Sequence, residues 1–67
     1  MGIAKVIKVI GTSPTSAEDA IHQGLAKVSQ TVHNISGLKV VDWTLDVADN
    51  KVTAHKVTLE VAFGVDD

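Results

Sequence analysis

His22, His33 and His55 are the side chains that could hold a transition metal, and Asp42, Asp46 and Glu60 are acids that could offer oxygens to a hard cation. Spacing argues against both sites within one chain. His22 and His33 lie eleven positions apart on one predicted helix, nearly on the same outward side, yet about 16 Å apart at 1.5 Å per residue. They cannot share a metal, and solvated histidines are the ordinary reading. The three acids sit singly on predicted strands, where they are ordinarily solvated unless symmetry brings copies together. There is no cysteine, so thiolate clusters, disulfides and a Cys–His pair are excluded. No Ser–His–Asp constellation at a catalytic family's spacing is present either. The Gly11-Thr-Ser stretch has one glycine and no lysine in the P-loop position, so it reads as a turn and helix cap rather than a phosphate site. The residues predict binding rather than catalysis.

The element that must position any site is Lys51 to Val65. Val57, Leu59, Val61, Phe63 and Val65 alternate with Lys56, Thr58, Glu60, Ala62 and Gly64, the period of a strand with one apolar face. Without proline and rich in β-branched residues, it can pair on both sides. Lys56 is expected to pair with an acid on a neighbouring strand.

Ile3 to Ile10 is the first strand in chain order, ended by Gly11. Thr15 with Glu18, or Ser16 with Asp19, fits a capping box opening a helix from about Ser16 to His33. Ala20, Ile21, Gly24, Leu25, Val28, Thr31, Val32 and Ile35 form its apolar stripe. Gly24 within that stripe predicts a close approach to a strand. Asn34 to Gly37 ends the helix, and Leu38 to Val47 is the second strand in chain order. There Leu38 and Val40 alternate in one phase and Val41, Trp43, Leu45 and Val47 in the other, which predicts a β-bulge near Val40–Val41. Trp43, in phase with Leu45 and Val47, is expected in a core or an interface. Ala48-Asp-Asn50 supplies a hairpin turn.

Strand, helix, strand, strand is an α+β pattern. A helical crossover makes the second strand parallel to the first, and the hairpin makes the third antiparallel to the second. In one antiparallel sheet the third strand must then be central, giving the order 1-3-2.

The chain has 67 residues, 45% of them hydrophobic, and a net charge of −2. It reads as a single domain over 1–67, and a core this small rarely supplies more than about 3–5 kcal/mol. Association is the remaining source of stability, and the apolar excess together with two exposed strand edges predicts a homo-oligomer. Interspersed charges exclude a basic face for nucleic acid or an anionic membrane. No signal peptide and no long apolar run are present, so a soluble, cytoplasmic protein is expected.

KVIKVIGTSPTS at the beginning, the helix after it, and VTLEVAFGVDD at the end resemble the dodecins over essentially the whole chain without gaps. The resemblance implies a βαββ subunit, a hollow homododecamer, and flavins (riboflavin, FMN or FAD) bound in pairs near three-fold axes for storage, without catalysis. The match also changes the site. In flavin-binding dodecins a tryptophan at the start of the second strand stacks on the isoalloxazine ring, and a glutamine in the third bonds its pyrimidine edge. Those positions fall on Gly37 and Lys56, 19 residues apart as the pattern requires. The family's acids are kept as Asp42 and Asp46, and its basic residue after the last Phe is replaced by Gly64. Gly37, Asp42, Asp46 and Lys56 are thus the expected ligand contacts, with weakened or altered flavin binding. The alternative is a shell that takes a metal ion or coenzyme A, or that is purely structural.

Overall fold

The computed structural model describes residues 2–65, which form β1 (Ile3–Ser13), α1 (Ala17–Val28), β2 (Ile35–Ala48) and β3 (Lys51–Val65). The strands make one antiparallel sheet in the order β1-β3-β2, with β3 central as its pattern requires. β3 pairs from Ile3↔Val65 to Ser13↔His55 on one side and out to Ala48↔Lys51 on the other. Asp49 and Asn50 join β2 to β3 with φ of 52° and 61°. Two successive left-handed residues make a type I′ turn, whose twist suits a tight hairpin.

The phase change in β2 is a bulge. Register shifts between Val40 and Asp42, leaving Val41 as the extra residue, so Leu38, Val40, Trp43 and Leu45 all face the same way as Val61, Leu59, Val57 and His55. Further shifts occur between Ile35 and Gly37 and between Asp46 and Val47. Each adds local bend and twist to the ribbon.

Ser16 caps α1, its Oγ accepting from the Asp19 N–H at 2.9 Å. The reciprocal half of a capping box is replaced by a link to the sheet. The Asp19 carboxylate accepts from Ser13 Oγ at 2.5 Å and from Thr15 Oγ1 at 3.4 Å, while Ser13 Oγ accepts from the Thr15 N–H at 3.0 Å. Ser13, at the end of β1, is 1% exposed. Its hydroxyl proton is the main reason the Asp19 carboxyl lies below the ordinary carboxylate range.

Element ends differ from the expectation at three places. α1 stops at Val28 rather than His33, where the backbone bonding tightens to three-residue turns: the Gln30 N–H donates to Lys27 O at 3.3 Å and the Thr31 N–H to Val28 O at 3.1 Å, while Ser29 Oγ donates to Ala26 O at 2.9 Å. Asn34, with φ 63°, then turns the chain into β2 at Ile35, ahead of Leu38. Val32 and Ile35 keep their contact with the core without being helical. β1 runs past Gly11 to Ser13, and Gly11 is where α1 crosses it. A β-carbon on Gly24 would lie 3.2 Å from Leu59 Cδ1 and 3.6 Å from Gly11 Cα, the close approach that a glycine in the stripe predicts.

The core is Ala20 and Val28 of α1 against Val57, Leu59 and Val61 of β3, flanked by Ile7 and Val9 of β1. The helix lies over β1 and β3 and does not reach across to cover β2. Trp43 is consequently 56% exposed, Val40 51% and Leu45 47%, although they share the helix-side face. Among the described residues no helix is long and apolar enough to cross a membrane.

Candidate functional site

Antiparallel pairing puts directly opposed residues on one face, so the register arranges the sheet face away from α1 in rows across the three strands. Those rows are Val6–Ala62–Gly37, Lys8–Glu60–Lys39, Ile10–Thr58–Asp42 and Thr12–Lys56–Thr44, followed by Ala54–Asp46. An open depression of about 300 Å³ lies over the first two, lined by Val6, Gly37, Leu38, Lys39, Glu60 and Ala62. Its floor is made of small or aliphatic groups and one end is charged. A β-carbon on Gly37 would meet nothing within 4 Å, so the missing side chain leaves open space rather than space filled by a neighbour.

All four expected contact residues, Gly37, Asp42, Asp46 and Lys56, lie on this face, but one chain does not gather them at a point. Ala62, opposite Gly37, is six positions from Lys56 along β3, about 20 Å at 3.3 Å per residue. Asp42 accepts from the Trp43 N–H through Oδ1 at 2.9 Å and so fastens the backbone beside the bulge. Lys56 Nζ lies 3.2 Å from Asp46 Oδ2, an ion pair with both side chains about half exposed. The expected partner of Lys56 is thus one of the expected site acids.

Residue type alone does not single out Lys8, Lys39 and Val6, yet the register brings them beside Gly37 and Glu60. The signal was present. The bulges at Val41 and Thr53 fall on opposite strands of the hairpin and cancel, so counting outward from the Asp49–Asn50 turn pairs Lys39 with Glu60.

The histidines take no part in this face. His22 is exposed on α1, its Nε2 3.9 Å from Glu18, and His33 is exposed beyond the helix end. His55 lies on the helix-side face with its Nδ1 buried and without a hydrogen-bond partner, its ring centroid 6.3 Å from that of Trp43. Among the described residues no three His, Asp or Glu side chains are grouped to hold a metal ion. A cation site inside one subunit therefore does not fit these residues.

Comparison with known proteins covers nearly the whole chain. The Dodecin family profile matches residues 3–66. A calcium dodecin of Mycobacterium tuberculosis is 33% identical over 63 residues, 94% of this chain and 89% of that protein. Its crystal structure, described as that of a calcium chelating immunodominant antigen with a novel calcium-binding site, superposes with a TM-score of 0.83 at 32% identity, covering 96% of this chain and 91% of that one. The dodecin from Streptomyces davaonensis superposes more closely, with a TM-score of 0.94 at 32% identity over 98% of this chain and 97% of that one.

Proposed function

The chain belongs to the dodecin family, and from that premise we propose that it is a cytoplasmic, homododecameric small-molecule store whose ligand is a flavin held more weakly than in members with the stacking tryptophan. The observation that carries this reading is Gly37. By the resemblance it falls at the family's stacking position, and it lines an open depression of about 300 Å³ with nothing within 4 Å of a β-carbon. That volume is at the low end for a ligand pocket. The depression suits the face of a planar ring system but cannot enclose one, which is why a second subunit or a second stacked ligand has to complete it. Gly37 lies under the ring. Asp42 and the Lys56–Asp46 pair stand farther along the same face, where they meet polar parts of a ligand or a second ligand.

The uncovered half of the helix-side face supports the assembly. Trp43, Val40 and Leu45 are each about half exposed, on the same side as the core residues Val57 and Leu59. A contiguous apolar patch of this kind marks a contact surface, and packing against copies of the chain would cover it.

Binding is tested by titrating riboflavin, FMN and FAD against the purified protein and its Gly37→Trp variant, following quenching of flavin fluorescence. The expected result is weak binding by the parent and tighter binding by the variant. Tight parental binding that Trp at 37 does not improve would remove Gly37 from the site.

The similarity to a calcium dodecin supports a second reading, a divalent cation held between subunits. Asp42, Asp46 and Glu60 are the acids on this face that could supply oxygens, but Asp46 already serves Lys56. Calorimetric titration with calcium separates the two readings, since flavin binding needs no cation in this scheme.

A further inference from the structure

Glu60 is the acid lining the depression, and it is only partly exposed. Lys8 of β1 and Lys39 of β2 stand directly opposite it on either side, yet among the described residues Glu60 closes no salt bridge, whereas Asp46 closes on Lys56 at 3.2 Å. Neighbouring strands are about 4.8 Å apart, so the row presents ammonium, carboxylate and ammonium across about 10 Å of sheet. A lysine only donates hydrogen bonds and an ionised carboxylate only accepts them. Read across the strands, the row is donor, acceptor, donor.

We infer that Lys8, Glu60 and Lys39 recognise the imide edge of a planar heterocycle, the carbonyl, N–H, carbonyl sequence that a flavin carries on its pyrimidine ring. This rests on the flavin reading above and adds to it the residues that select the ligand. The edge is acceptor, donor, acceptor, the complement of the row. Hydrogen bonds to charged groups are shorter and about twice as strong as neutral ones, and partial burial of Glu60 limits competition from water. The adjoining row Val6–Ala62–Gly37 lies two residues along each strand, about 7 Å away. It offers an apolar floor for the ring while the edge reaches Glu60. Lys56, at the position that resembles the family's edge-reading glutamine, cannot do this: an ammonium has no acceptor, and this one is held by Asp46. The edge-reading role has moved from one row of the sheet to another.

Riboflavin and 3-methylriboflavin, titrated by fluorescence quenching against the intact protein, test the assignment. Methylation replaces the one N–H that Glu60 accepts from, and it should weaken binding about tenfold or more, about 1.4 kcal/mol. Glu60→Ala should weaken riboflavin by a similar factor while leaving 3-methylriboflavin little changed, because the two alterations delete the same bond. Glu60→Gln should keep part of the affinity through its carbonyl. The methylated ligand requires no altered protein, so that arm stands even if a variant assembles poorly by light scattering. Equal binding of the two flavins by the parent overturns the row as an edge reader and leaves the flavin reading standing. Binding of neither flavin overturns both.

Discussion

The carbonyl oxygen of Ala20 occupies the place that a β-carbon on Gly11 would need, so helix and strand touch backbone to backbone at this crossing. Gly24, in the next turn of α1, also faces Gly11, but a β-carbon there would meet the tip of the Leu59 side chain at 3.2 Å. The two glycines therefore differ in what can yield. Backbone cannot move without shifting α1 off the sheet, whereas a leucine methyl can turn aside. Gly11→Ala should destabilise by about 1–3 kcal/mol or more through overpacking. Gly24→Ala should be far milder, since about 1 kcal/mol of helix propensity offsets the crowding. Chemical denaturation of both variants provides the comparison, and equal losses would contradict the distinction.

Acid should loosen the start of α1. The Asp19 carboxyl is held below its ordinary range, chiefly by the Ser13 hydroxyl. A depressed carboxyl stabilises the fold fully above its unfolded pKa, about 3.9, and that contribution disappears as pH falls through the lower folded value. Asp19→Asn should therefore be less stable than the parent near neutral pH, and the gap should close at the acid end. Melting curves collected from pH 7 downward give the readout. A gap that does not change with pH would assign the loss to packing instead.

Several of these features were legible in the sequence because they depend on local pattern. The phase change between Val40 and Val41 located a bulge, and Ala48-Asp-Asn50 located the turn. The apolar alternation of Lys51–Val65 marked the central strand. The end of α1 was not legible, because Thr31, Val32 and Ile35 continue the helical spacing although the chain has left the helix and still packs on the core. Gly11 looks like a strand terminator in the sequence because glycine commonly ends strands. Its reason for being there is a neighbour that only tertiary structure supplies, the Ala20 carbonyl. For the site, the dodecin resemblance pointed to Gly37, Asp42, Asp46 and Lys56 one by one, but the row of Lys8, Glu60 and Lys39 exists only once three strands are in register.

Trp43 should anchor the assembly rather than the subunit. It is 56% exposed in the subunit and lies beyond the reach of α1, so its truncation costs the single chain little. Aromatic residues buried at the centre of interfaces can each be worth about 2 kcal/mol or more. Trp43→Ala should shift the protein toward smaller species at micromolar concentration by light scattering. Parent fluorescence is expected to be blue-shifted from that of tryptophan in water, moving red on dissociation. An unshifted size with water-like parental emission would place Trp43 outside any interface.

The Lys56–Asp46 pair should matter little for stability and little for the ring. Both side chains are about half exposed, and pairs of this kind contribute about 0–1 kcal/mol. Asp46→Ala should accordingly change the denaturation midpoint only slightly. For binding, Lys56 is about 20 Å along the sheet from the Gly37 row, while Glu60 is in the next row. Gly37→Trp should tighten riboflavin by stacking, worth about 0.5–1.5 kcal/mol beyond the area buried. Distant sites add and neighbouring ones couple. Gly37→Trp and Lys56→Gln should therefore combine additively, whereas Gly37→Trp and Glu60→Ala should not, because both act on one ring. Riboflavin titrations of the single and double variants measure the two couplings. Strong coupling of position 37 with 56 and none with 60 would mean that two subunits grip each ring between them, and that the pyrimidine edge is read at the Lys56 row after all.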